Sequence, residues 1–263
     1  MSAGLGPAPA RLVLVGAVAA GFLVVPLVGL VAATPWPSFW AALTSSAARQ
    51  ALWLSVLTST IAALLCMVFG LPLAWLLARV DFRGRHLLRG LVTVPLVLPP
   101  VVAGVALLSV FGYTGLLGGP LRAHFGTQIP YTTLAVVIAH TFVALPFFVI
   151  SVEGSFRATA PALESAAATL GADRWTTFRR VSLPLAVPGV VAGVVLAWAR
   201  SLGEFGATIT FAGNYPGTTR TMPLEVYTAL QDNPDTANAL SVLFLVVCIG
   251  VLIGLRERWL GVR

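Results

Sequence analysis

Six apolar stretches, each near the roughly 20 residues a helix needs to cross about 30 Å of hydrocarbon, constrain this chain more than any other feature. They run near Leu12 to Ala33, Ala51 to Ala78, Leu91 to Phe111, Tyr131 to Val152, Leu185 to Phe211 and Ala237 to Leu255. A chain of 263 residues that is 58% hydrophobic, only 10% charged and has a mean hydropathy of +0.93 carries more apolar surface than a soluble core can hide. The expected fold is therefore all-α: a polytopic membrane protein in which residues 1–263 form one transmembrane domain of six helices. The first stretch follows Arg11 and resembles a signal peptide at first sight. Its length of about 22 residues exceeds an h-region of roughly 7 to 15, and no clear A-x-A site closes it, so it reads as a retained span.

All 16 basic residues other than histidine are arginines. With no lysine, the chain lacks both the phosphate-binding lysine of a P-loop and the amine of a Schiff-base enzyme; if ATP is used, another subunit binds it. The net charge of +7 does not signal nucleic acid, because the arginines alternate with membrane spans instead of clustering with exposed aromatics. Cys66 and Cys248 lie far apart in apolar runs and read as small buried hydrophobes.

The arginines also set an orientation. With the N-terminus inside, Arg11, Arg79, Arg83, Arg85, Arg89, Arg157, Arg174, Arg179, Arg180, Arg256, Arg258 and Arg263 are cytoplasmic, and Arg49, Arg122 and Arg220 lie outside. That bias predicts cytoplasmic N- and C-termini in the plasma (inner) membrane. Pro26, Pro72, Pro95, Pro146 and Pro188 interrupt the spans and by themselves fit ordinary packing irregularity. Pro99 and Pro100 remove two consecutive donors from one span, which reads as a broken helix lining a cavity.

Residues 153–184 form a polar loop between the fourth and fifth spans, on the cytoplasmic side. Pro161 suits a first helical turn after Thr159 or Ala160, and Ala162 to Leu170 is rich in helix formers. Gly171 stands where a left-handed C-cap is needed. Asp173 then caps a second short helix through Arg180, ending at Leu183 and Pro184 where the next span begins. The expected product is a helix-turn-helix bracket whose first helix carries the small residues Ala166, Ala167 and Ala168, which admit another backbone, with Glu164 as that helix's one charge. It has too little apolar bulk for a helix resting on the membrane surface.

The run ESAAATLG, Glu164 to Gly171, followed twelve residues later by Leu183-Pro184, resembles the EAA loop of bacterial ABC importer membrane subunits. Here the position six before the glycine is Ser165, and the acid stands one earlier at Glu164. The resemblance implies that Glu164, Ser165, Ala166, Ala167, Gly171, Leu183 and Pro184 belong to a loop that docks on an ATPase subunit. A second block, RSLGEFGAT from Arg200 to Thr208 with TTRTMPL from Thr218 to Leu224, and the run VPLVLPPVVAGVALL from Val94 to Leu108, resemble the molybdate/tungstate branch of these permeases. A sulfate/thiosulfate branch has a related block. The resemblance covers most of the chain from about Leu52 onward. It implies a homodimer with one pathway at its twofold axis, two ATPase subunits that bind ATP and Mg, and an external oxyanion-binding protein. The chain itself would bind no cofactor and catalyse no covalent step.

From the residues alone, Arg200 and Glu204 are the unusual pair, since an i, i+4 separation within a span puts them on one helix face. An intramembrane ionisable pair marks a pathway by default. In that reading Arg200 eases passage of a divalent oxyanion, Glu204 keeps it from binding too tightly, and Gly206 and Thr208 continue the lining. The pair reads equally well as a salt bridge that only fixes packing. Gly203 and Gly206 would permit close helix contact across a subunit interface. His140 is expected to hold an interior hydrogen bond and not to relay protons, as its span contains no acid. His86 and His124 match no metal spacing. An ATP-independent transporter or channel is the rival reading from another class, but it gives no reason for the bracket.

Overall fold

The structure, a computed structural model, describes residues 9–259; Arg263, counted in the charge bias above, lies outside them. The regular structure of the described residues is all helical: α1 (Ala10–Ala32), α2 (Trp36–Thr44), α3 (Ser46–Arg79), α4 (Arg85–Val97), α5 (Pro100–Phe111), α6 (Gly118–Phe125), α7 (Thr133–Ala158), α8 (Pro161–Thr169), α9 (Arg174–Thr177), α10 (Leu183–Leu202), α11 (Gly206–Phe211), α12 (Met222–Asp232) and α13 (Pro234–Trp259). Among the described residues five continuous helical stretches are long and apolar enough to cross a membrane, and α4 with α5, bent by 119°, counts as a sixth when the pair is taken as one span. The break falls at Leu98 and Pro99, where Pro99 and Pro100 withhold their donors and the α4 ladder stops at the Leu98 N–H. The short helices α2, α6 and α12 were not foreseen in the sequence.

Two boundaries differ from expectation. The fifth span does not run unbroken to Phe211: α10 ends at Leu202, the backbone leaves the helix at Gly203 to Phe205, and α11 restarts at Gly206. The second helix of the bracket does not stop before that span either. After α9 the chain widens into a π-helical turn, Phe178–Ser182, in which the Leu183 N–H bonds to the Phe178 carbonyl five residues back. Pro184 has no N–H to continue an ordinary ladder, and the wide turn carries the helix past it, so that Arg174–Leu202 is one 29-residue unit.

Side-chain oxygens start several helices by accepting orphan N–H groups: Ser45 from Ala48 at 3.1 Å, Thr132 from Ala135 at 3.3 Å, and Asp173 from Thr176 at 2.8 Å. The Thr176 bonds hold the Asp173 carboxyl below the usual carboxylate range.

Helix α7 is the central pillar. Its C-terminal half packs with α3 and α10 around Cys66, Leu77, Phe148, Val152, Phe156 and Ala186. Its N-terminal half packs with α5 and α11 around Ala103, Leu107, Val136, Phe211 and neighbours. Between apolar helices in hydrocarbon, close packing replaces the missing hydrophobic drive, and small residues permit it. Phe148, fully buried, sits in a socket made by two glycines: a Cβ on Gly70 of α3 would stand 2.6 Å from its ring, and one on Gly193 of α10 would stand 3.1 Å away. Toward the other end of α7, a Cβ on Gly104 of α5 would meet Thr210 at 2.5 Å, and one on Gly206 of α11 would meet Pro100 at 2.6 Å. The second helices of the two broken spans therefore clasp each other. By contrast α1 buries no residue within the chain, a position that lipid tolerates because hydrocarbon solvates its side chains.

The socket makes a measurable prediction. Gly70→Val should destabilise the protein by about 1–3 kcal/mol through overpacking, whereas Gly16→Val, with nothing within 4 Å of its Cβ, should leave stability unchanged. Unfolding of both variants in mixed micelles, followed by circular dichroism, checks this.

Candidate functional site

The polar features gather at the two ends of the Arg174–Leu202 unit. At its start stands the bracket. α8 begins at Pro161 without a side-chain cap and ends at Thr169 with Leu170 as its C-cap, after which Gly171 takes the left-handed conformation, φ +86°, that closes the turn. None of the α8 residues is buried. Leu163, Leu170 and Trp175 are exposed, Leu170 to 89%, while Ala167 is half-buried and Ser165, Ala166 and Ala168 are open. Leu183 is half-buried and Pro184 exposed at the mouth of α10.

Glu164 points the other way. Its Oε1 accepts from Arg79 Nε at 2.9 Å and from Ser182 Oγ at 2.8 Å, and the same Arg79 donates through its NH2 group to the Thr159 carbonyl at 3.1 Å. Glu164, Arg79 and Ser182 line an open cleft of about 430 Å³ with Trp75, Ala78 and Phe178. Trp75 and Phe178 meet edge to face, 5.6 Å between centroids.

A second ion cluster neighbours the first. Glu153 of α7 takes Arg89 at 2.7 Å and Arg157 at 3.0 Å. Arg89 also donates to the Leu77 carbonyl at 3.1 Å, and Arg85 donates to the same carbonyl at 2.9 Å while pairing with Asp81. Leu77 lies in the last turn of α3, where carbonyls have no helical partner, so these guanidinium groups close the helix end. Sequence reasoning counted Arg79, Arg85, Arg89 and Arg157 only as charges and missed Glu153 and Ser182. The available signal was Glu153 four residues before Arg157 in an otherwise apolar helix.

At the far end of α10, about 26 Å along the axis from Leu183 at 1.5 Å per residue, Arg200 and Glu204 meet at 2.7 Å. They meet across the end of a helix and not along one face, because Glu204 lies beyond Leu202. Its second oxygen accepts the Ala207 N–H at 2.8 Å, so Glu204 caps α11 as well as pairing Arg200. Only 1% of its side chain is exposed, against 29% for Arg200. Gly206 is buried against Pro100 of the same chain, and a Cβ added to Gly203 would meet nothing nearer than the Ala199 carbonyl, at 3.9 Å. Thr208 is wholly buried, and its hydroxyl has no protein partner among the described residues. His140 departs from expectation: it is fully buried, yet neither ring nitrogen meets a partner among the described residues. Its contact with α10 runs through the backbone instead, its carbonyl accepting from Ser201 Oγ at 3.5 Å.

Broken membrane helices that carry an ion pair at the break, together with an exposed helical bracket at the opposite end, define a polytopic membrane permease. Residues 70–262 match the family described as binding-protein-dependent transport system inner membrane component, and the chain belongs to that family. It is 51% identical over 237 residues to the molybdenum transport system permease protein ModB of Mycobacterium tuberculosis, covering 90% of this chain and 89% of the relative. Against Escherichia coli proteins it is 41% identical to ModB over 81% of this chain and 93% of the relative, and 38% identical to the sulfate transport system permease protein CysT over 88% and 84%. Among solved structures, a chain of a bacterial ABC transporter involved in alginate import superposes with a TM-score of 0.75 at 18% identity, over 94% of this chain and 93% of that one; this likeness concerns the fold.

The double duty of Glu204 predicts an asymmetric response. Glu204→Ala removes the cap and leaves Arg200 without its partner, and should cost about 3–5 kcal/mol. Glu204→Gln keeps an acceptor for Ala207 and should lose markedly less. Denaturant titration of the two variants side by side separates these outcomes.

Proposed function

We propose that this chain is the membrane-spanning subunit of an ATP-driven importer for molybdate or tungstate. Two copies form one pathway at their twofold interface. An ATPase subunit, which binds ATP and Mg, docks on the 158–184 loop of each copy, and a soluble binding protein delivers the oxyanion from outside. Both termini face the cytoplasm, as the arginine bias supports. The observation that carries this reading is the bracket: α8 holds its apolar and small residues in the open while its one acid is turned back into the chain. Such a helix is firmly based and free to be gripped. Greater identity to molybdenum permeases than to a sulfate permease supports molybdate over sulfate.

In this mechanism the ATPases close and draw the two loops together. The Arg174–Leu202 unit transmits the displacement to the Arg200 end of the chain. A partly exposed guanidinium lowers the cost of moving a divalent oxyanion out of water. Its pairing with Glu204 offsets part of that charge, so the ion is not held too tightly to leave.

Two measurements test the proposal. In the purified complex reconstituted in liposomes with its ATPase and binding protein, molybdate or tungstate should stimulate ATP hydrolysis and uptake. Stimulation by sulfate alone, or anion transport by this chain without the ATPase, would overturn it. Arg200→Ala should reduce uptake while the complex still assembles; loss of assembly with normal flux per complex would instead mark Arg200 as a packing residue.

A further inference from the structure

The acid of α8 is turned away from any partner; its two ligands belong to two other segments of the chain, and one of them also holds a third. Arg79 is the last residue of α3, Thr159 is the C-cap of α7, and Ser182 ends the π-helical turn that leads into α10. Glu164 Oε1 receives both Arg79 and Ser182, and Arg79 also holds Thr159. The side chains are well covered, 13% exposed for Arg79 and 21% for Glu164, and Ser182 is 1% exposed. The widened turn is what makes this possible, for it shifts the helical phase just before α10 and brings Ser182 to the inside.

From this geometry we infer that Glu164, Arg79 and Ser182 form a clasp that fastens the exposed helix to the ends of α3 and α10. The inference rests on the docking role proposed above. Glu164 is then a positioning residue within this chain and not a contact for the ATPase. Apart from the clasp, α8 rests mainly on α9 and the π-helical turn that follow it in the chain, and a pull on it would be absorbed by local bending. With the clasp, a pull on α8 moves both the Gly70-bearing and the Gly193-bearing helices around Phe148. Docking itself falls to the exposed surface, in which Leu170 is the most prominent apolar group.

Charge reversal tests the clasp in the assembled complex. Glu164→Arg and Arg79→Glu should each retain the ATPase subunits and hydrolyse ATP, yet move about tenfold less anion per ATP, a size usual for coupling between sites. Combining the two reversals should restore most of the loss. If the double variant is no better than the singles, or if Glu164→Arg sheds the ATPase while Arg79→Glu behaves as wild type, the clasp is wrong and Glu164 serves the partner. A second arm uses the purified chain alone. Trypsin should cut after Arg174 faster in each single variant than in wild type, and the double variant should return to the slow rate. Equal rates in all four proteins would overturn the clasp, and because this arm needs no ATPase, its result stands apart from whether the docking role holds.

Discussion

The insertion of Phe148 between Gly70 and Gly193 is the contact on which the rest of the molecule depends. In hydrocarbon, apolar side chains gain nothing by leaving solvent for protein, so helices associate only where their surfaces fit closely. Two missing Cβ atoms let α3 and α10 approach the same ring from different sides, and α7 becomes the shared wall of a three-helix unit. Both polar assemblies hang from that unit. The clasp joins the ends of α3 and α10 on one side, and Arg200 projects from the other end of α10. A change in the spacing of these helices at one end is carried to the other because close-packed interiors transmit strain instead of absorbing it.

Irregular backbone at membrane depth is tolerated only where protein or a polar cavity satisfies it, and the two broken spans meet that condition by leaning on each other. The break in the third span needs little repair, since Pro99 and Pro100 have no N–H to leave unpaired. The break in the fifth span is different, and Glu204 supplies the acceptor for the restarted helix. That duty explains why an acid is buried, with only 1% of its side chain exposed, in such an apolar environment. A carboxylate already committed to a backbone donor can still pair Arg200, and the pairing fixes the guanidinium in one place. Of the two sequence readings of the pair, as pathway and as packing device, the contacts show a structural task for Glu204, while the pathway role proposed for Arg200 draws on its partial exposure.

Much of this was legible in the sequence because it follows from local chemistry. Hydropathy located the spans, consecutive prolines located the first break, Gly171 and Asp173 located the turn and cap of the bracket, and the spacing of Arg200 and Glu204 put them within reach. The second break was hidden because apolar residues continue through Phe205 to Phe211, and only the glycines at 203 and 206 hint at it. The inward turn of Glu164 could not be read, since Arg79 is 85 residues away and the Ser182 contact depends on a π-helical turn with no sequence signature beyond Leu183-Pro184. The short helices α2, α6 and α12 lack the length that makes a periodic pattern visible.

The absence of lysine, first met as an exclusion of certain chemistries, has a structural counterpart. Arg79 joins a carboxylate to a backbone carbonyl, and Arg89 does the same with Glu153 and Leu77. Arg85 reaches Asp81 and the carbonyls of Leu77 and Ala78, and Arg220 reaches Glu225 together with the side chain and backbone of Asn214. Each task needs donors fixed in a plane and aimed at separate acceptors. A guanidinium provides this, whereas an ammonium on a flexible stem is a single point of charge. Helix ends at a membrane boundary present carbonyls that must be closed beside acids that must be neutralised, and one forked cation does both at once. The clasp on Glu164 applies the same principle: Arg79 can hold α8 and the end of α7 together only because its Nε and NH2 groups point to different partners.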